Sequence, residues 1–585
     1  MSRTRPFANR SGRHARPHLH RATWALAAVA VWGAASIATA RSHPPVRTRG
    51  GVVAADHPEA ARVGARVLAA GGNAADAAVA TALALGVVRP ASSGIGGGGF
   101  ALVYDARRRT VFAYDFREQA PAALTPDAFA PGGEVDPSLS RAGGLAVAVP
   151  GEVAGLEAIS RRHGRLPFRR AVAPAIALAR RGFRADPFFA AQAAAWRDRQ
   201  EVDASLRAQL ARVEPGAVVR RPRLARTLDA IARRGARGFY AGWVARDLVA
   251  AVVRRGGVMT LADLAGYRVR EPQPLWGTWR GLRIAAMPLP SSGGLTALAA
   301  LGILEAGGWD LAQLGAGSSA ALHLTAEALK HAFADRARLL GDAGAALVSP
   351  ERFLDRDRLR QLARRINPLS VDDIDRYGDP GLGGAGAPAG DAGTSHLCVI
   401  DADGNAVSLT TTINLEFGSG VVGARSGVIL NNEIDDFSLR SGVPNAFGLV
   451  QSDANLVGGG KRPLSSMSPT LVFDGDRVIA CAGGSGGPRI ISNVVQVLLN
   501  VFVYGMDAAE AVAAPRIHHQ WKPDVLRVEA EVPRDVVTLL RLRGHRVDAG
   551  WRNSSAVQLI VVRPDGTREA ASDPRKLGWP AAAAR

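Results

Sequence analysis

The spacing of apolar and polar positions changes character near residue 394. Before it, apolar residues recur every three or four positions in stretches such as 224–234, 241–254 and 320–340, which predicts helices with a buried face. After it, short runs of strand-like alternation dominate, at 395–401, 405–412, 427–430, 469–474 and 477–482. A helical run at about 490–503 and further strands complete the chain. Near the start, 51–55 reads as a strand, and Asp56 is placed to cap a helix opened by Pro58 and ended by Gly71 and Gly72. Asn73 then caps a second helix, 74–86, apolar nearly all round and therefore buried. Residues 100–104 and 110–115 form a hairpin, and turns such as Leu289-Pro290-Ser291-Ser292-Gly293-Gly294 separate the helices of 150–380. Helices mostly before residue 394 and strands mostly after it predict an α+β fold, a layered sheet sandwich with helical outer layers.

Composition sharpens this picture in three places. The chain has 585 residues and 47% apolar content, enough for a large core, and 66 glycines favour close backbone packing. Its net charge of +20 is uneven. Residues 1–40 hold six arginines and no acid, and from Thr394 onward acids and bases balance at 19 each, so the remaining excess lies in 41–393. Basic clusters such as 220–226 lack interleaved aromatics, which argues for solvated helix faces and against nucleic-acid binding. The N-terminus reads as an export signal: a basic stretch from Arg3 to Arg21, an apolar stretch 22–37, and the small-residue cleavage site Ala38-Thr39-Ala40. That expectation makes the mature protein periplasmic or secreted; the alternative is an uncleaved N-terminal anchor. No later apolar run is long enough for a stable membrane span. The two cysteines, Cys398 and Cys481, each fall in a predicted strand. An exported chain could pair them, but two buried small residues are the preferred reading.

The boundary itself carries chemistry. A Gly/Ala/Pro-rich linker, about 379–393, gives way at once to Gly393-Thr394-Ser395-His396-Leu397. Taken locally, Thr394 is one more β-branched residue opening a strand. If the Gly393-Thr394 bond were cut, however, Thr394 would carry a hydroxyl nucleophile and a free α-amine on one residue. Such an amine has a pKa near roughly 7.7, so it can take the proton of its own hydroxyl close to neutral pH.

Other motifs compete. Ser92-Ser93-Gly94-Ile95-Gly96-Gly97-Gly98-Gly99 contains G-x-G-x-x-G, but a helix precedes it and a strand follows, the reverse of a dinucleotide loop. A tight turn between packed layers is expected instead. His323, Glu327 and His331 share a helix without forming an H-E-x-x-H pattern, which favours core or solvated histidines over metal. A sharper rival is Gly483-Gly484-Ser485-Gly486-Gly487, a G-x-S-x-G run between a strand and a helix, with Asp524 and His545 following as a Ser–Asp–His hydrolase would have them. No upstream oxyanion loop accompanies it. Its glycines could equally offer backbone N–H groups to an oxyanion made by another nucleophile.

Over 51–575 the chain resembles the γ-glutamyltransferases of the N-terminal nucleophile hydrolase superfamily. The motifs stand in order: 71–100, Arg117-Glu118, Val149-Pro150-Gly151, Pro290-Ser291-Ser292-Gly293-Gly294, 327–336, Thr394-Ser395-His396, Thr412-Ile413-Asn414, 431–438, 461–470, 483–489 and 515–521. The resemblance implies a four-layer αββα sandwich, two stacked antiparallel sheets flanked by helices, and a precursor that cuts itself between Gly393 and Thr394. It implies a large subunit, 41–393, and a small one, 394–585, paired as a heterodimer, with Thr394 as nucleophile and Thr412 hydrogen-bonded to it. By the same likeness Arg117, Ser465 and Ser466 hold a substrate α-carboxylate; Asn414, Glu433 and Asp436 hold its α-amino group; and Gly486 and Gly487 form the oxyanion hole. The substrates implied are glutathione and other γ-glutamyl compounds, with water, amino acids or dipeptides as acceptors, and neither cofactor nor metal. Three departures stand out: Ser395 replaces a common threonine, Glu433 replaces the glutamine of some bacterial members, and the lid, 439–449, carries Phe447 in place of a tyrosine. A cephalosporin-type acylase on the same fold and an uncut protein that only binds γ-glutamyl compounds remain the alternatives.

Overall fold

Two antiparallel sheets run through the computed structural model, which describes residues 43–199, 201–342, 344–378 and 392–584. The expected leader, 1–40, and nearly all of the linker lie outside these residues. The first sheet has six strands, in order Ala581–Ala582, Val52–Ala55, Ala392–Ile400, Ala406–Leu415, Gly98–Asp105 and Thr110–Phe116. The second has seven: Val46–Thr48, Arg568–Ser572, Ala556–Val562, Arg477–Ser485, Thr470–Asp474, Leu282–Ala286 and Leu275–Trp279. Every pairing within these two sheets is antiparallel.

The layering follows from strand alternation. Leu397 and Val399 join a core built with helices Pro58–Ala69, Ala74–Val88, Phe168–Arg181 and Pro222–Arg234. Cys398 and Ile400, pointing the other way, join the core shared with the second sheet and helices Gly293–Ala306, Ser319–Leu339 and Arg489–Phe502. Helix, sheet, sheet and helix therefore stack as the αββα sandwich that the sequence pattern and the resemblance lead one to expect.

Several local expectations hold. Asn73 closes a capping box with Asp76, and the helix it starts is buried throughout. The glycine run is a turn packed against neighbouring backbone. A Cβ on Gly96 would strike the Ile429 carbonyl, and one on Gly97 the Thr412 carbonyl.

Three expectations need correction. His57, not Asp56, caps the first helix, its Nδ1 accepting the Glu59 N–H at 3.1 Å. Asp56 turns inward, where it accepts the His396 N–H at 3.2 Å and the Gln558 amide; two buried donors outbid a helix end that a neighbour can serve. Residues 427–430 join neither sheet and make only an isolated bridge, Val422 to Ile429. Cys398 and Cys481 are buried as expected but form a disulfide, because they face each other from strands in different sheets with Cα atoms 5.9 Å apart.

Candidate active site

Strand Ala392–Ile400 pairs with Ala406–Leu415 so that Thr394 lies opposite Thr412, and the register then slips before Asn414. Asn414 has a φ of 70°, the left-handed region that asparagine tolerates better than most residues. The slip brings three groups together. The Thr412 hydroxyl lies 3.0 Å from that of Thr394 and donates to the Gly393 carbonyl at 2.8 Å. It also accepts the Asn414 N–H at 2.8 Å. A hydroxyl has one proton, so when Thr412 gives its own to the Gly393 carbonyl, the Thr394–Thr412 bond is donated by Thr394. The Thr394 hydroxyl is thus linked through Thr412 to the peptide carbonyl before it, and that carbonyl is polarised. Gly393 fits no larger residue: a Cβ there would sit 2.6 Å from the carbonyl oxygens of Ala91 and Leu415.

Alternation turns Thr394, His396 and Cys398 toward the second sheet. His396 packs against Gly483, and its Nδ1 lies 2.8 Å from the Thr410 hydroxyl. Burial pushes its pKa down to about 3. This neighbouring imidazole is held neutral by its surroundings and engaged elsewhere.

At the facing strand's end, Gly486 and Gly487 have φ values of 128° and 61°, which only glycine adopts without strain. They link strand Arg477–Ser485 to helix Arg489–Phe502. The Phe447 ring covers this turn, 2.8 Å from where a Gly487 Cβ would stand. Phe447 is pinned through its carbonyl, which accepts the Gln520 amide at 2.9 Å, and packs with Leu449 and Leu415.

A polar cluster lies beside the threonine pair. Asn414 donates its side-chain amide to the Asn432 carbonyl at 3.0 Å, and the next residue is Glu433. The Arg117 guanidinium bonds Glu433, and Asp436 at 2.5 Å, while its Nε donates to the Pro463 carbonyl at 3.2 Å. Burial opposes the arginine's charge, but Glu433 and Asp436 outweigh it and hold the proton on more firmly than usual. Burial raises the carboxyls of Asp436 and Glu433, with Arg117 opposing in both cases. Glu118, 3.7 Å from Arg117, is pushed up to about 7, chiefly by burial. Ser465 and Ser466 follow Pro463 and Leu464 along the same wall; the Ser465 hydroxyl accepts the Met467 N–H at 3.2 Å. The Ser466 hydroxyl accepts from Arg336 at 3.2 Å. Thr394 is 4% exposed, Glu433 1% and Arg117 0%, so all three are buried.

Two residues of this site escaped the sequence reading. Arg336 bridges Ser466 and Ser292, and burial pulls its pKa down to about 10. The signal was a charge inside a helix whose whole length is buried. Lys576 donates to the Thr394 carbonyl at 3.2 Å and to the Ser485 hydroxyl at 2.8 Å; it is one of only four lysines in the chain.

The rival triad is not assembled. Ser485 is partnered by Lys576, Asp524 by His519 at 3.1 Å, and His545 by His323 at 2.8 Å. His323, Glu327 and His545 do gather their ligand-type atoms within 4.8 Å. The Glu327 carboxylate, however, already faces the Lys330 ammonium at 2.9 Å and accepts from Tyr377 at 2.5 Å, while His331 accepts the Gly378 N–H instead. A divalent ion would have to displace a cation and a hydrogen bond to bind there.

The gamma-glutamyltranspeptidase family model matches residues 60–583. The chain belongs to the gamma-glutamyltranspeptidase family. Among its relatives, the glutathione hydrolase proenzyme of Escherichia coli is 40% identical over 539 residues, 91% of this chain and 92% of that protein. A structure of Helicobacter pylori gamma-glutamyltranspeptidase superposes with a TM-score of 0.53 at 37% identity, covering 56% of this chain and 94% of that one. The cephalosporin acylase of Bacillus halodurans, at 29% identity, superposes with a TM-score of 0.82 over 92% of this chain and 97% of its own. The matched span of this gamma-glutamyltranspeptidase family member includes every candidate site residue described above.

Proposed function

We propose that this family member is a self-processing γ-glutamyltransferase and glutathione hydrolase whose nucleophile is Thr394. The observation that carries the reading is the contact of the Thr394 and Thr412 hydroxyls beside the Gly393 carbonyl. In the precursor, the Thr394 oxygen attacks the Gly393 carbonyl carbon, its proton passing to the departing Thr394 nitrogen through Thr412. The amide bond breaks and an ester forms; water then hydrolyses the ester, leaving a carboxylate on Gly393 and a free amine and hydroxyl on Thr394. The products are 41–393 and 394–585, which stay together because each sheet contains strands of both.

In the cut enzyme the amine takes the hydroxyl proton as the oxygen attacks the γ-carbonyl of the substrate. Gly486 and Gly487 serve as oxyanion donors, each worth on the order of 3 kcal/mol. The leaving amine departs with the proton, and the γ-glutamyl ester passes to water or to the amine of an amino acid or dipeptide. Arg117, Ser465 and Ser466 hold the α-carboxylate, while Asn414, Glu433 and Asp436 hold the ammonium. The substrate's two charges replace the ion pairs that Arg117 makes with Glu433 and Asp436. The Phe447 side chain covers the site by apolar contact, while its backbone is held by Gln520 and Asn445.

The likeness to a cephalosporin acylase gives a second reading its one support. Buried Glu433 and partly buried Asp436 favour a substrate with an ammonium. The test compares a γ-glutamyl anilide with its glutaryl analogue, which lacks only the amine, in the native enzyme and in Thr394→Ala. The expected result is a strong preference for the γ-glutamyl compound, with Thr394→Ala neither cut nor active; preference for the glutaryl compound would favour the acylase. We further propose that the chain is exported by a leader at 1–40. Among the described residues, no helix is long and apolar enough to cross a membrane.

A further inference from the structure

Lys576 is 2% exposed, and its ammonium reaches only groups around the nucleophile. It holds the Thr394 carbonyl at 3.2 Å and the Ser485 hydroxyl at 2.8 Å, so it ties the start of the Thr394 strand to the residue before Gly486 and Gly487. Its own backbone is fixed, since the Lys576 carbonyl accepts from Arg89 at 2.6 Å. Within one residue a carbonyl oxygen lies no more than about 3.6 Å from the nitrogen, so the ammonium stands within about 7 Å of the Thr394 nitrogen. Burial lowers the pKa of this lysine, with Arg89 and Arg489 adding to the effect and Asp56 and Glu416 opposing it.

The charges around it are few. Asp56, from the turn after strand Val52–Ala55, and Glu416, just after strand Ala406–Leu415, are negative; Arg89 and Arg489 are positive. Asp56 is committed to the His396 N–H and to Gln558, and Glu416 to Gln192 at 2.7 Å and Trp196 at 3.0 Å. Arg89 pairs with Asp186 at 2.6 Å, and Arg489 donates to the Gly486 carbonyl at 2.9 Å. With Asp186 counted, three cations and three acids share this largely buried region.

We propose that Lys576 is a positioning residue for the nucleophile: its buried ammonium fixes the Thr394 carbonyl against the Ser485 turn and, beside the amino terminus freed by cleavage, keeps that amine unprotonated near neutral pH. The inference rests on Thr394 acting as an N-terminal nucleophile. A neutral amine takes the hydroxyl proton, whereas an ammonium cannot, so the charge of Lys576 extends activity toward acid. At a separation of about 7 Å inside a protein, one unit charge moves a neighbouring group by about one pH unit or more.

The test is the acid limb of the kcat/KM profile of the cut enzyme. Lys576→Met should move that limb up by about one unit, with Lys576→Arg restoring it. Asp56→Asn removes a negative charge and should move it down. Ser485→Ala removes its hydrogen bonds to Lys576 and Asp56 without removing a charge and should leave the limb in place, whatever it does to the rate. If Lys576→Met fails to cut itself, Asp56→Asn still decides. A limb that stays put in Lys576→Met, or in Asp56→Asn, overturns the proposal and reduces Lys576 to a strut. A native enzyme active without any cut would instead remove the nucleophile reading, and electrophoresis of the same samples separates the two failures.

Discussion

Arg117 shows how much one side chain is asked to do. Its guanidinium is the only cation that Glu433 and Asp436 contact directly among the described ion pairs, and it also anchors the Pro463 carbonyl beside the two serines. Arg117→Ala should therefore lose the proposed carboxylate clamp and leave buried Glu433 and partly buried Asp436 unpaired. The expected outcome is a KM raised about a hundredfold and a protein destabilised by roughly 3–5 kcal/mol. Arg117→Lys keeps the charge but not the fork, and should recover stability more than KM; steady-state kinetics and thermal melts read both. An unchanged KM in Arg117→Ala would take this residue out of the pocket. At this scale the sequence was readable where a motif names a residue and silent where a contact is long-range. Arg336 and Lys576 touch Ser466 and Thr394 across 130 and 182 positions, and although a charge in a buried helix marks Arg336 as unusual, nothing local names either partner.

Among the elements, the strand bearing Thr394 is held from both sides. Its disulfide from Cys398 to Cys481 spans 83 residues and joins the two sheets close to the site. Replacing both cysteines by alanine should cost roughly 2–4 kcal/mol, seen as a lower Tm in oxidising buffer that added reductant no longer changes. An unaltered Tm would show that the pair does not form. The sequence placed both cysteines in strands but not opposite one another, because register between two stacked sheets is written nowhere in local pattern. Asp56 failed as a cap for the same reason, since its partners His396 and Gln558 lie hundreds of positions away. Asn73 succeeded because its partner, Asp76, is three residues on.

Helix Glu152–His163 offers a second element-scale test. The Glu152 carboxyl accepts the Thr411 hydroxyl and is pushed up to about 8 by burial, which that hydrogen bond only partly offsets. The unfolded chain loses this proton near roughly 4.3, so between there and about 8 the folded state holds a proton that the unfolded one does not. Stability should fall as pH rises through that window. Glu152→Gln should flatten this part of the profile, measured as Tm against pH. A slope that persists unaltered would assign it to other groups.

For the whole molecule, the change from helical to strand pattern at residue 394 foretold the architecture better than it foretold chain order within the sheets. Strands from both sides of the linker interleave: Val52–Ala55, Ala392–Ile400, Ala406–Leu415 and Gly98–Asp105 are consecutive in the first sheet, and Thr470–Asp474 lies beside Leu282–Ala286 in the second. Two pieces made by a cut at 393 would thus share both sheets and both major cores. Such pieces could not part without unfolding, so the proposed cleavage would free an amino terminus without dismantling the site. The measurement that tests this most directly is the intact mass of the purified active protein under denaturing conditions, with N-terminal sequencing of the smaller species. The account predicts two chains, the smaller beginning Thr394-Ser395-His396. A fully active protein that remains one continuous chain through Gly393-Thr394 would contradict it.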